Sequence, residues 1–373
     1  MRQIASLFVI CLQLSFGSAH AAERTHEYML NNGLKVIVQE DHRAPVAVVQ
    51  VWYRVGSSSE YDGITGVSHA LEHMMFKGTE KIPPGQFSEI VSARGGDENA
   101  FTSTDYTAYF QTWSADNVAL SFELEADRMR NLLLAEPEFK NEIRVVLEER
   151  RLRTDDNPRA LLGETARSVA YQTSPYRQPV IGWAADLQNM RIEDLREWYK
   201  RWYAPDNATV VVVGDVSPEQ VLALAKKHFG PIARQSIAGP KSRPEVLQQG
   251  TKTVTVTSDK TRVPQLYMAY KVPVLNDALA PDSEIKEWEI YALDVLAGTL
   301  DGGPSARLPR ELVREAKLAA NVSADYSSTS RLATLFSFAA APSGANTLED
   351  LQRAIVNQIE KLQKEPPTAA ELD

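Results

Sequence analysis

The strongest constraint on this chain is that a pattern met in its first half returns in its second. Ala44-Pro45 leads into a strand-like run, Val46 to Val55, and Val263-Pro264 leads into a similar run, Gln265 to Val272, 219 residues later. Glu136-Pro137 opens a helix-like segment, and Glu365-Pro366 follows it at an offset of 229. Two matches at nearly equal offsets imply a diverged internal duplication. Within the first copy, Lys35–Gln39 (just past the Asn32-Gly33 turn), Val46–Val55 and Thr209–Val213 read as strands. Ala100–Thr112 alternates and reads as one continuous strand. Helical segments are expected at His69–Phe76, Gln86–Arg94, Asn117–Leu134, Pro137–Arg153 and Pro218–Phe229. Strands mixed with helical pairs, without regular β-α-β alternation, predict an α+β fold built as tandem homologous domains, each an antiparallel-rich sheet with helices packed on it.

The first 21 residues stand apart from this pattern. Arg2 gives a positive start, an apolar run extends from Ile4 to Phe16, and Ala19-His20-Ala21 is a small-x-small cleavage signature, together a secretory signal peptide. Its removal takes the formal charge from −9 to −10 and removes Cys11, the only cysteine. Cys11 follows Ile10, a poor context for lipid attachment. The mature chain then forms no disulfide, and any metal site in it must use His, Asp or Glu. No later run of 18 apolar residues occurs, so no membrane span is expected after cleavage. The acidic balance and the lack of a long basic run argue against nucleic-acid binding. The polar stretch with Gly239-Pro240 and Pro244 is the linker candidate. The expected organisation is a signal peptide over 1–21, a first domain over 22–235, a linker over 236–250 and a second domain over 251–373.

The chemistry concentrates at His69-Ala-Leu-Glu72-His73. Residues i and i+4 lie one helical turn apart, so both imidazoles point the same way and can grip one ion. This H-x-x-E-H order is the inverzincin motif. Neutral imidazoles with a carboxylate suit Zn²⁺, which makes a water more acidic and polarises a carbonyl. Glu72, beside the pair, is placed to take that water's proton as general base. A third ligand is needed, and Glu142, Glu148 and Glu149 are the acidic candidates. Glu142 and Glu149, seven apart, share a helix face, while Glu148 points roughly 100° from Glu149. Spacing alone does not choose among them. His26, His42 and His228 read as solvated or capping residues, and phosphate-loop and dinucleotide motifs are absent.

Taken together, these segments resemble the insulinase/pitrilysin family of zinc metallopeptidases. His69-Ala-Leu-Glu72-His73-Met-Met-Phe-Lys-Gly-Thr is similar to the family's zinc helix. Asn32-Gly33-Leu34-Lys35-Val36 and Gly66-Val67-Ser68 also fit it. Gly95-Gly96-Asp-Glu-Asn99-Ala100-Phe101-Thr102 with Asp105-Tyr106-Thr107 resembles its active-site strand, and Glu142-Ile-Arg-Val-Val-Leu-Glu-Glu149 its second glutamate segment. Ser174-Pro175-Tyr176, Pro205-Asp-Asn207 and Val213-Gly214-Asp215 complete the pattern. The resemblance implies zinc on His69, His73 and Glu149, with Glu72 as general base and Glu142 as a supporting acid near the metal. It implies that Asn99, Ala100 and Phe101 lie on an edge strand that receives an extended peptide as an added strand. It also implies homologous domains closing around a chamber that admits short or unfolded peptides. The expected activity is zinc-dependent endopeptidase or oligopeptidase hydrolysis in a secreted, periplasmic setting. A non-catalytic assembly or scaffold subunit is the alternative.

The second copy departs from the family's zinc pattern. The later counterpart of His69–His73 is Tyr291-Ala-Leu-Asp294-Val295, which should bind no zinc. Many family members carry an Arg and a Tyr, seven apart, in a segment like Leu312-Val-Arg-Glu-Ala-Lys-Leu318, and they contact substrate. Here Val313 and Ala320 fall at those positions, with Arg314 one residue away. The resemblance implies that a homologous zinc-free partner supplies the pair in a heterodimer, with a homodimer as the alternative. At the 229 offset, Asp373 corresponds to Arg144, inside a first-copy helix. The second copy is therefore expected to be incomplete at its C-terminus, part of a protein of about 460 residues.

Overall fold

The computed structural model describes residues 25–239 and 243–372. The expected signal peptide, 1–21, lies outside the described residues. Among the described residues no helix is long and apolar enough to cross a membrane.

Six strands of the first half form one sheet: β1 (Thr25–Met29), β2 (Lys35–Glu40), β3 (Val46–Tyr53), β4 (Asp97–Thr102), β5 (Thr107–Ser114) and β6 (Ala208–Gly214), in the order β1-β2-β6-β3-β5-β4. Every neighbouring pair is antiparallel except β2 with β6. Alternation makes the sheet one-sided. In β3, Ala47, Val49, Val51 and Tyr53 turn inward while the residues between them are more exposed. Helices α1 (Val67–Met74), α2 (Gln86–Ala93), α3 (Val118–Arg130), α4 (Glu136–Arg150), α5 (Pro158–Ala170), α6 (Ala184–Asn189), α7 (Ile192–Trp202) and α8 (Pro218–His228) complete this half. Leu71 and Met74 of α1, Phe122 of α3, Trp198 and Trp202 of α7 and Val221 of α8 join Val36, Val49 and Val210 of the sheet in one apolar cluster. Each such buried side chain contributes about 1.5–3 kcal/mol.

The continuous strand expected over Ala100–Thr112 is instead a hairpin. The Ser103 N–H donates to the Tyr106 carbonyl (2.8 Å), and the chain reverses between β4 and β5. The inward positions change parity at the reversal, from Glu98, Ala100 and Thr102 on β4 to Thr107, Tyr109, Gln111 and Trp113 on β5. The shift is hard to read from sequence because apolar residues stand on both faces, Phe101 and Phe110 on one and Ala100 and Tyr109 on the other.

The second half holds a three-stranded antiparallel sheet of β7 (Leu266–Val272), β8 (Ala319–Asp325) and β9 (Thr334–Pro342), in the order β7-β9-β8. Helices α9 (Leu275–Ala278), α10 (Glu287–Asp301) and α11 (Leu348–Lys364) accompany it. Ile290, Leu300, Leu312, Phe336, Phe338, Leu351 and Ile355 form its own core. The architecture is α+β, as the sequence predicted.

Between His228 and Leu266 the described residues carry neither helix nor strand. Glu245 anchors this segment to both halves. It accepts from the N–H groups of Gln172 (3.0 Å), Thr173 (3.0 Å) and Ser174 (2.8 Å) and pairs with Lys271 Nζ (2.5 Å).

Candidate metal centre

Helix α1 is set in place by backbone contacts. Gly66 takes φ 87° immediately before it, and a Cβ there would come within 2.6 Å of the Ile181 carbonyl oxygen and 2.9 Å of Gly182 Cα. Only glycine meets both demands at low cost. The buried Glu60 carboxylate accepts from the N–H groups of Gly66 (2.8 Å) and Ser68 (2.9 Å), satisfying donors that open the helix. Burial pushes Glu60 up to about 7, against the pull of those donors.

On this helix His69 and His73 stack edge to face, ring centroids 4.7 Å apart. Glu149 on α4 faces them, its Oε2 lying 3.3 Å from His73 Nε2 and 3.7 Å from His69 Nε2. One donor atom from each of the three lies within 4.8 Å of the others. Ligands held about 2.0–2.1 Å from one tetrahedral ion sit roughly 3.3–3.4 Å apart, so these side chains fit zinc in number, type and spacing.

Glu142, Glu148 and Glu149 face three different sets of partners. Glu142 Oε1 bonds His73 Nδ1 (2.8 Å) and its Oε2 pairs with Lys77 (2.6 Å). The outward nitrogen of His73 is thereby engaged, leaving Nε2 toward Glu149, the arrangement by which outer carboxylates orient ligand histidines. Glu148 turns away, exposed and paired with Arg151 (2.6 Å). Arg153 pairs with the other oxygen of Glu149 (2.5 Å). His42, by contrast, pairs with Asp215 (2.6 Å) on the surface.

Charge states follow from these contacts. Burial, with the neighbouring His73, pushes His69 down and keeps it neutral. Burial also opposes charge on His73, but bonds to Glu142 and Glu149 outweigh it and lift this ring to about 9. The bond to His73 holds Glu149 below its ordinary value. Glu72 is buried, which pushes its carboxyl up, and it accepts a hydrogen bond from the Thr102 hydroxyl.

Asn99, Ala100 and Phe101 lie on β4, the last strand of the sheet, which pairs with β5 alone among the described strands. Asn99 and Phe101 are exposed, and Ala100 packs toward the core. Phe101 stands against Trp52 (5.4 Å) and Tyr106 (6.1 Å). Arg314 is exposed and donates to the Pro304 carbonyl within its own half.

Sequence reasoning missed Thr102, Lys77 and Arg153. Lys77 and Arg153 each follow a site residue, His73 and Glu149, by four, a spacing that could have pointed to them. Thr102 lay within the segment resembling the active-site strand, but nothing in the sequence tied its hydroxyl to Glu72.

Residues 35–183 match the family described as insulinase (peptidase family M16), and residues 189–373 match the peptidase M16 inactive domain. The chain is similar to the zinc protease PqqE of Helicobacter pylori, 36% identical across 99% of this chain and 82% of that protein. A crystal structure of a protease from Helicobacter pylori superposes with a TM-score of 0.86 at 37% identity, covering 94% of this chain and 82% of that one. The first half of the periplasmic protease PqqL from Escherichia coli shares the fold, with a TM-score of 0.77 at 22% identity over 94% of this chain and 75% of that one. The protein belongs to the insulinase family of peptidases, peptidase family M16. Its kinship with named zinc proteases supports a peptidase-type function, and its His-His-Glu cluster could hold a metal.

Proposed function

We propose that this chain is a zinc-dependent endopeptidase or oligopeptidase acting on extended peptides. The observation that carries the reading is the convergence of His69, His73 and Glu149 beside the buried Glu72. When bound, zinc supplies Lewis acidity, making a water more acidic and the scissile carbonyl more electrophilic. His69 and His73 present Nε2, and Glu149 presents Oε2, toward a shared point. Glu142 is the supporting acid that orients His73. Glu72 takes a proton from the attacking water and delivers it to the leaving amine. Its raised affinity for protons suits a group that must both accept and release one. An extended substrate adds to the free side of β4 at Asn99, Ala100 and Phe101, pairing through its backbone.

The zinc-bearing domain runs to residue 235, and the part beyond residue 251 acts as its metal-free homologous companion. Substrate contacts that Arg314 does not supply come from a homologous zinc-free partner or a second copy. The apolar N-terminal run and the kinship with periplasmic proteases support secretion to the periplasm.

The deciding experiment pairs elemental analysis with a peptide-library digest. Wild type should bind one zinc per chain and cleave. Glu72→Gln should keep the zinc and lose about 100- to 10,000-fold in kcat, because only the proton acceptor is removed. Cleavage that survives in this variant overturns the mechanism. Zinc without any cleavage, alone or with a co-purified partner, favours the assembly-subunit alternative.

A further inference from the structure

One guanidinium of the second half reaches the hairpin that touches Glu72. Thr102 is the last residue of β4, and its hydroxyl donates to the Glu72 carboxylate. Three residues on, Asp105 sits in the β4–β5 turn. Asp105 Oδ1 accepts from Ser58 Oγ (2.6 Å) and from Nε of Arg331 (2.8 Å), and its Oδ2 accepts from the Tyr176 hydroxyl. Arg331 Nη2 also donates to Ser58 Oγ (2.8 Å), and the Leu332 N–H donates to the Tyr176 hydroxyl (3.2 Å). Arg331 lies between β8 and β9, so the contact joins the two halves.

The turn is also seated by its backbone. The Ser58 N–H donates to the Thr104 carbonyl (2.8 Å). A Cβ on Gly56 would lie 2.2 Å from the Ser103 carbonyl oxygen, so the two backbones touch. β4 needs this seating because it has a ladder on one side only, and the end of such a strand opens readily. A carboxylate fixed through one oxygen presents the other in a constant direction, and a displacement of about 1 Å at such a group can cost about 100-fold in rate.

We propose that Thr102 is the positioning residue for Glu72, and that Arg331 holds Thr102 in place through Asp105. The inference rests on the reading of Glu72 as the base. It assigns the zinc-free half a part in the chemistry through a charge-assisted bond to the active-site hairpin.

The test uses the full chain, zinc-loaded, with kcat expressed per bound zinc. Thr102→Val keeps the shape and removes the hydroxyl. It should lower kcat about tenfold or more with KM and zinc content unchanged, and Thr102→Ser should recover most of that loss. Arg331→Met should lower kcat by a smaller factor, about threefold, in the wild-type background and leave it nearly unchanged in the Thr102→Val background, because both changes act on one carboxylate. In the zinc-free protein, Arg331→Met should speed amide exchange across residues 97–106 and leave β3 and β6 as protected as before. Full kcat in Thr102→Val, effects that multiply in the double variant, or unchanged exchange in Arg331→Met each overturn the proposal. If the wild type holds zinc and cleaves nothing, the peptidase reading fails, and the exchange measurement still decides the latch.

Discussion

Two helices at matching points of the duplicated pattern are used in opposite ways. α1 buries Val67, Ser68, His69, Ala70, Leu71, Glu72 and Met74, and it is enclosed by α4, α7 and β4. α10, which carries Tyr291-Ala-Leu-Asp294-Val295 at the corresponding stretch, buries only Ile290, Thr299 and Leu300. Its Trp288, Tyr291 and Val295 are 66%, 49% and 47% exposed. Ligand residues alone do not account for the difference. Enclosure keeps His69 neutral, and a neighbouring helix brings both the third donor and the carboxylate that orients His73. The candidate metal centre is a property of α1 together with the elements packed around it.

The sharpest way to break this contrast is to substitute both helices. His69→Ala should leave less than stoichiometric zinc by elemental analysis, whereas Tyr291→Ala should leave one zinc per chain. If Tyr291→Ala lost the metal, the second helix would have to be counted as part of the centre.

A smaller effect is expected one layer out. Glu142→Gln should weaken zinc binding about 10- to 100-fold in a chelator competition, the range typical for carboxylates behind a ligand histidine. Unaltered affinity would mean that α4 contributes Glu149 and nothing more.

Acidity gives a third measure. Bonds to Glu142 and Glu149 lift His73 to about 9, so on the proposed reading an incoming zinc must displace its proton. Zinc affinity should therefore rise about tenfold per pH unit toward pH 9 and then level, with about one proton released per zinc near neutrality. The same raised value means that the stability contributed by the protonated His73 pairs is fully present below its ordinary value of 6.5 and is lost as pH rises through about 9. A flat affinity profile between pH 6 and 8 would contradict this assignment of the proton.

The smallest effect concerns what joins the halves. Burial opposes charge on Glu245, but Lys271 and three backbone N–H groups outweigh it and hold the carboxyl at about 2. Its contribution is present above the ordinary value of 4.5 and is lost as pH falls toward 2. Glu245→Gln should lower stability at pH 7 by about 1.5 kcal/mol in denaturant titration, the scale of a charged hydrogen bond, and the deficit should shrink on acidification. An equal deficit at pH 3 and pH 7 would point to packing instead of charge.

Much of this was legible before any coordinates, and the reasons differ by element. Period and punctuation placed the strands around Val36, Val49 and Val211 and the helix bearing His69 and His73, because local alternation and i,i+4 spacing are written in the chain itself. The choice between Glu148 and Glu149 was not legible from spacing, since it depends on which face of α4 meets α1. The β4–β5 turn was hidden because apolar residues on both faces of the hairpin, Phe101 and Phe110 against Ala100 and Tyr109, mask the change of phase at the reversal. The contacts of Thr102 and Arg331 were not legible for a further reason: their partners, Glu72 and Asp105, come from distant parts of the chain, and only tertiary packing brings them together.

The crossing of Gly66 and Gly182 bears on how far the candidate metal centre's tolerance of mutation extends. Gly182 takes φ 87°, and a Cβ on it would lie 2.4 Å from the Thr65 carbonyl oxygen and 2.6 Å from Gly66 Cα. Neither residue has a side chain that can swing aside, so relief must come from moving main chain, and the main chain at Gly66 is the entry to α1. A single methyl at Gly182 thus presses on the helix that carries His69 and His73 while touching no donor atom. The footprint of the site in a mutational scan should therefore include a loop far from its ligands in sequence, where substitutions register as lost metal.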